Sequence, residues 1–269
     1  MFASLAPARR RLVLVIASVV VIAAVVIGVV VATSGGDGPK AQGAAPQDRP
    51  GPVLLVPGYG GSVQSLETLA ARLRTAGKVV TVVPMPDDAH GDLSAQARVL
   101  DTAVHAALDS SGAPSVDVVG YSAGGVVTRL WARSLGGASL ARRIVTLDSP
   151  HHGTQIAALG SMLSDDICPT ACQQLAPDSP VLATLNSGDE TPAGPTFVSI
   201  WSTNDRVVVP PDSARLSGAL NLTVQSICAD ENPGHTDIPT NPVVDNMVVA
   251  ELAAGPPVPL TAADCARLR

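Results

Sequence analysis

Residues Val116 to Gly125 read Val-Asp-Val-Val-Gly-Tyr-Ser-Ala-Gly-Gly. A short apolar run that ends in Gly-x-Ser-x-Gly and passes at once into helix-compatible residues is the sequence form of a sharp strand-to-helix turn with a serine at its tip. Such a turn constrains its whole neighbourhood. The serine must take a strained backbone conformation, and side chains on its neighbours would collide with the strand and helix beside it. Gly120 and Gly124 remove those collisions, and Gly125 lets the first helical turn approach closely. Ser122 is therefore the candidate nucleophile, with the amide of Ala123 directed to where an oxyanion would form.

The segments on either side alternate between short apolar runs and amphipathic stretches. Val53 to Val56 is predicted as a buried strand, followed by a helix over Ser62 to Arg74 with Val63, Leu66, Leu69 and Leu73 on one face. Val79 to Val83 is the next strand. Asp92 can cap a second helix whose stripe is Leu93, Ala97, Leu100, Val104 and Leu108. The strand Val116 to Val119 and the helix Ala123 to Leu135 come next, then strands at Arg143 to Leu147, Thr196 to Trp201 and Leu220 to Ile227, and a last helix near Val243 to Ala253. This alternation predicts an α/β fold of about six mostly parallel strands with helices on both faces.

The first 51 residues stand outside that pattern. Residues 1–11 end in Arg9, Arg10 and Arg11, and residues 12–32 form an uncharged apolar run long enough to cross a bilayer as a helix. The arginines favour a cytoplasmic N-terminus, which leaves the rest of the chain outside the cytoplasm. The expectation is a signal-anchor in the cell membrane, the alternative a cleaved signal peptide with Ala41-Gln42-Gly43 as the small-residue site and a secreted product. Residues 33–51, rich in Gly, Ala, Pro, Gln and Ser, read as a flexible tether. Residues 52–269 are long enough for one sizeable core.

Five of the 17 basic and two of the 23 acidic residues fall in the first 51, leaving 12 against 21 in the remainder. That acidic surplus argues against nucleic acid as a partner, and so does the scarcity of Trp, Tyr and Phe, two of each, for stacking on bases. All four cysteines lie in the second half. In an exported domain they are most simply two disulfides, Cys168 to Cys172 and Cys228 to Cys265, with a zinc site built from the same four as the alternative.

A nucleophilic serine at such a turn needs a base, an acid to orient it, and donors for an oxyanion. In a parallel sheet these come from loops at the carboxyl ends of strands, and for a serine at a turn of this kind the chain order is Ser, Asp or Glu, His. Asp205 stands shortly after the strand ending at Trp201, and His235 is the only histidine beyond it, in a loop bearing Pro233 and Gly234. After the first strand comes Pro57-Gly58-Tyr59-Gly60-Gly61, where glycines let the backbone turn close to a substrate; the amide of Tyr59 is the second candidate donor. Residues 155–194 hold the Leu159, Met162, Leu163 cluster and the Cys168, Cys172 pair between two strands. They read either as a cap over an acyl pocket or as a surface crossover with a stapled loop.

Pro-Gly-Tyr-Gly-Gly, Gly-Tyr-Ser-Ala-Gly-Gly, the segment Ser149-Pro150-His151-His152-Gly153-Thr154 and the Asp205 and His235 loops together resemble the small secreted bacterial lipases of the α/β-hydrolase superfamily, class 2 type. The resemblance covers nearly all of Pro52 to Ala254. It implies Ser122 as nucleophile, Asp205 as acid, His235 as base and Tyr59 with Ala123 as oxyanion donors, with His151 and His152 as pocket or structural residues. It also implies a serine carboxylic ester hydrolase acting on an ester or lipid through an acyl-enzyme; no motif for a metal, nucleotide or flavin appears, so no cofactor and no metal are expected. Acyl transfer by the same residues and a tethered non-catalytic binding module are the competing classes.

Overall fold

The apolar runs form six strands in the computed structural model, which describes residues 45–164 and 166–269. The predicted span at residues 12–32, its basic flank and most of the tether lie outside the described residues. Among the described residues no helix is long and apolar enough to cross a membrane.

The chain begins with β1 (Val53–Val56), every residue of it buried. The helix predicted from Ser62 starts instead as a 3-10 turn, Val63–Leu66, and only Glu67–Thr75 (α1) is α-helical. The reason is local: the Ser62 hydroxyl accepts from the Ser65 amide while the Ser65 hydroxyl donates to the Ser62 carbonyl, which favours the tighter turn. Next come β2 (Val80–Val82) and α2 (Leu93–Ser111). The Asp92 carboxylate caps α2 by accepting from the Ala95 amide, and Gly112 ends it in the left-handed conformation.

β3 (Val116–Tyr121) leads directly into α3 (Ala123–Ser134), and β4 (Ala141–Leu147) follows. The crossover to β5 (Thr196–Trp201) holds three short helices, α4 (Gln155–Ser161), α5 (Thr170–Gln174) and α6 (Pro180–Leu185). β6 (Leu220–Thr223) is shorter than its apolar run suggests, because the Thr223 hydroxyl accepts from the Ser226 amide and turns Val224–Ile227 into a single helical turn, α7. α8 (Pro242–Glu251) and α9 (Cys265–Leu268) complete the chain.

The sheet order is β2-β1-β3-β4-β5-β6, and every neighbouring pair is parallel. Successive strand residues face opposite layers. Leu54, Val56, Val118 and Ile144 meet Leu100, Val104 and Trp131 of α2 and α3, whereas Val53, Leu55, Val119 and Val145 meet Leu69, Leu73, Met247 and Val248 of α1 and α8. Each fully buried leucine or valine in these layers contributes about 1.5 to 3 kcal/mol. Burial on both faces explains why β1, Val-Leu-Leu-Val, reads as a continuous apolar run rather than an alternating one.

At the amino ends of the strands the core is closed by charge. Arg142 holds Asp117 in a two-point pair, at 2.8 and 2.6 Å, with both side chains fully buried. Arg143 donates to the carbonyls of Glu251 and Gly255 and to the Gln47 side-chain oxygen. Gln47 in turn donates to the Arg142 carbonyl. A residue assigned to the flexible tether is thus part of the fold, because its amide satisfies polar groups at the end of β4.

Both disulfides are formed as Cys168–Cys172 and Cys228–Cys265, so the four sulfurs are bonded to one another rather than free to ligate zinc.

Candidate active site

Four polar side chains converge at the carboxyl ends of the strands, where loops of an open parallel sheet meet. Ser122 follows β3, Asp148 follows β4, Asp205 follows β5, and His235 lies beyond β6 and α7. Ser122 is held at φ 52°, ψ −124°, a region that L-residues avoid and that the surroundings must enforce. The glycines show how. A Cβ on Gly120 would lie 2.6 Å from the Gly124 carbonyl oxygen, and one on Gly125 would lie 2.0 Å from the Ser149 hydroxyl.

His235 lies between the serine and the carboxylate, with Nε2 2.9 Å from Ser122 Oγ and Nδ1 2.7 Å from Asp205 Oδ2. The other carboxylate oxygen of Asp205 accepts from the amides of Val207 and Val208, at 2.7 and 3.0 Å. Burial alone would raise the Asp205 carboxyl, but the hydrogen bond and charge of His235, with the Val207 amide, outweigh it and hold the group below the usual carboxylate range. An ionised Asp205 can only accept, so His235 carries its proton on Nδ1 and leaves Nε2 free to accept from the serine hydroxyl. All three side chains are largely shielded, Ser122 and His235 retaining 8% and 9% exposure, enough for a small reactant to reach them.

Neighbouring contacts fix this geometry. The Tyr121 hydroxyl donates to the His235 carbonyl at 2.9 Å, and its ring lies 5.2 Å from the imidazole. The Ser202 hydroxyl donates to the Pro233 carbonyl and accepts from the Gln225 side chain and the Asn204 amide, joining the Asp205 loop to the His235 loop. The Cys228–Cys265 bond fastens the start of the His235 loop to the C-terminal segment.

Ser122 opens into a cleft of ≈ 130 Å³ whose walls include Tyr59, Ile156, Ala157, Cys172, Leu175 and Val207. Gly58 runs against the serine so closely that a Cβ there would be 2.8 Å from Ser122 Cβ, and the adjoining Tyr59 lines the same cleft. The Tyr59 ring rests on His90, centroids 4.5 Å apart. Ala123 opens α3, so its amide is among the donors that a helix start leaves without an intrahelical partner.

His151 and His152, read as pocket or structural residues, do not line the cleft. His151 is fully buried, its Nε2 3.0 Å from Thr146 Oγ1, and burial with the nearby Arg129 charge holds its ring well below the usual histidine range. His152 is 2.9 Å from Glu190 in a separate open groove with Arg215 and Asn221. It is Pro150 and Thr154 of that segment that reach the cleft. Asp148 has no counterpart among the residues singled out from the sequence. The available signal was its position, an acidic residue immediately after an apolar strand in a sheet whose reactive side chains gather at strand ends.

A family profile described as Lipase (class 2) matches residues 95–247. Among solved structures the fold is similar to Aspergillus fumigatus lipase B, with a TM-score of 0.66 at 20% identity over 86% of this chain and 58% of that one. It is also similar to the mature form of Bacillus licheniformis lipase BlEst2, with a TM-score of 0.57 at 18% identity over 76% of this chain and 91% of that one. The chain therefore spans less than two thirds of the length of the Aspergillus protein. No curated protein matches the sequence. At these identities the structural likenesses speak to the fold, which is that of the α/β-hydrolases, while the profile covers more than half of the sequence. The chain belongs to the class 2 lipase family of the α/β-hydrolase superfamily.

Proposed function

We propose that the protein hydrolyses carboxylic esters through an acyl-enzyme on Ser122, with His235 as general base and Asp205 as its orienting acid. The observation that carries this reading is the unbroken relay of 2.9 Å from Ser122 Oγ to His235 Nε2 and 2.7 Å from His235 Nδ1 to Asp205. His235 takes the serine proton as Oγ attacks the ester carbonyl, and the amides of Tyr59 and Ala123 stabilise the oxyanion. His235 then returns the proton to the leaving alcohol. Water repeats the cycle on the acyl-enzyme, and Ser122 is restored.

The cleft beside Ser122 is walled by apolar side chains, Ile156, Ala157, Leu175 and Val208 among them, and these are the surface that receives the acyl group. Two disulfides support an oxidising, extracytoplasmic compartment, with residues 12–32 as the membrane anchor.

A serine-reactive phosphonate tests the reading. Stoichiometric labelling of the wild type and none of Ser122→Ala is expected. Labelling that persists in Ser122→Ala would overturn it.

A further inference from the structure

Asp148 is a fully buried residue in the left-handed backbone region, φ 43°, directly behind the reactive side chains. A non-glycine residue is seldom held there without a compensating contact. Its amide is used by the sheet, donating to the Ile200 carbonyl. One carboxyl oxygen, Oδ1, accepts from the Ser202 amide at 2.7 Å. The other, Oδ2, meets no donor among the described residues, although it is 3.8 Å from His235 Nδ1.

One oxygen of Asp148, one of Asp205 and a ring nitrogen of His235 lie within 4.8 Å of one another. Two carboxylates this close in a water-poor interior do not both ionise; one keeps a proton. The donors decide which. Asp205 receives three N–H groups, from His235, Val207 and Val208, all of which favour the charged form. Asp148 receives one. The proton therefore resides on Asp148, and the oxygen that lacked a donor becomes a donor itself, facing Asp205. Burial first, and then the Asp205 charge, push the Asp148 carboxyl well above the usual range, in accord with that assignment.

We infer that Asp148 is a positioning residue for the imidazole: a neutral acid that supports the Asp205 carboxylate and, when Asp205 cannot ionise, gives up its own proton and takes over the bond to His235 Nδ1. This inference rests on the reading of Ser122, His235 and Asp205 as the reactive set. No bond other than the O–H of Asp148 is broken; its proton leaves to solvent, and Asp148 Oδ2 then accepts the Nδ1–H from a starting separation of 3.8 Å. The neutral acid also explains why two carboxyl groups are tolerated behind one histidine.

The test compares kcat and KM on a nitrophenyl acetate for the wild type, Ser122→Ala, Asp148→Asn, Asp148→Ala, Asp205→Asn and the double variant Asp148→Asn/Asp205→Asn, each checked for folding by circular dichroism. An amide at 148 can still donate to Asp205 and accept from Ser202. Asp148→Asn is therefore expected to lose about threefold in kcat and Asp148→Ala about thirtyfold, with KM unchanged in both. Asp205→Asn is expected to fall about 10²-fold, and the double variant about 10⁴-fold, the loss typical of a triad without its acid. A double variant no slower than Asp205→Asn, or an Asp148→Asn as slow as Asp148→Ala, overturns the inference. Full activity in Ser122→Ala would instead overturn the reading of the reactive set, so the two failures are distinct.

Discussion

A Cβ added to Gly124 would lie 2.3 Å from the carbonyl oxygen of Val56, so β1 and the first turn of α3 touch through bare backbone. That contact sets the distance between the loop after β1, with Tyr59, and the turn that carries Ser122. Gly124→Ala must push the two apart, since neither partner is the movable end of a side chain. The substitution is expected to cost about 2 to 3 kcal/mol in urea unfolding, in the range of overpacked cores. Its kcat should fall by more than its KM changes, because the separation that grows is the one between Tyr59 and Ala123.

Arg142 and Asp117 are the second place where little can be altered. The pair is fully buried, and the remaining Arg142 donors reach the carbonyls of Gln47, Leu252 and Ala253. Arg142→Met leaves the Asp117 carboxyl group and the Ala253 carbonyl without their partner, while the Gln47 carbonyl keeps the Gly255 amide and the Leu252 carbonyl keeps Lys78. A loss of about 3 kcal/mol or more is expected at pH 7, read by denaturant midpoint. A change below 1 kcal/mol would show that the network is not cooperative.

Asp245 and Glu251, both on α8, have carboxyl groups raised by burial to about 7, opposed by Arg72 in the first case and by the Val258 amide and Arg143 in the second. In the folded chain they keep their protons up to near neutrality, whereas in the unfolded chain they release them near pH 4. The folded state thus binds more protons between about pH 4 and 7, and stability contributed by the neutral forms falls as pH rises through that window and does not return above it. Asp245→Asn should raise Tm by about 3 °C at pH 8 and leave it nearly unchanged at pH 4. An equal shift at both pH values would exclude titration of Asp245 as the cause.

Ile156 lines the cleft from α4 and is half exposed, so it can be enlarged without disturbing the core. Ile156→Trp is expected to lower kcat/KM for a hexanoate ester about tenfold relative to an acetate, roughly 1.4 kcal/mol of lost transition-state binding. Equal losses on both esters would mean that the acyl group lies elsewhere.

Much of this architecture was legible because a parallel sheet leaves plain marks. Val53–Val56 and Thr196–Trp201 could be bounded to the residue, since their apolar runs are closed by Pro57 and Gly58 in the one case and by Ser202 in the other. His235 could be singled out by order alone. What escaped notice depends on single side-chain hydrogen bonds that periodicity does not register. Thr223 converts the end of an apolar run into a helical turn, Ser65 tightens the entry to α1, and Gln47 draws part of a Gly- and Pro-rich stretch into the fold. Asp148 escaped for a different reason. Its meaning comes from Asp205, distant in sequence, and only the folded sheet brings the two carboxyl groups side by side.

Ser202 ties together two stretches that the chain order separates, through its bonds to Pro233, Gln225 and Asn204. Asp205 and His235 consequently ride on one mechanical unit. The Tyr121 hydroxyl, one residue before Ser122, fastens the same unit to the serine's own strand through the His235 carbonyl, so a displacement at that edge of the sheet is passed to all three side chains rather than opening a gap between them.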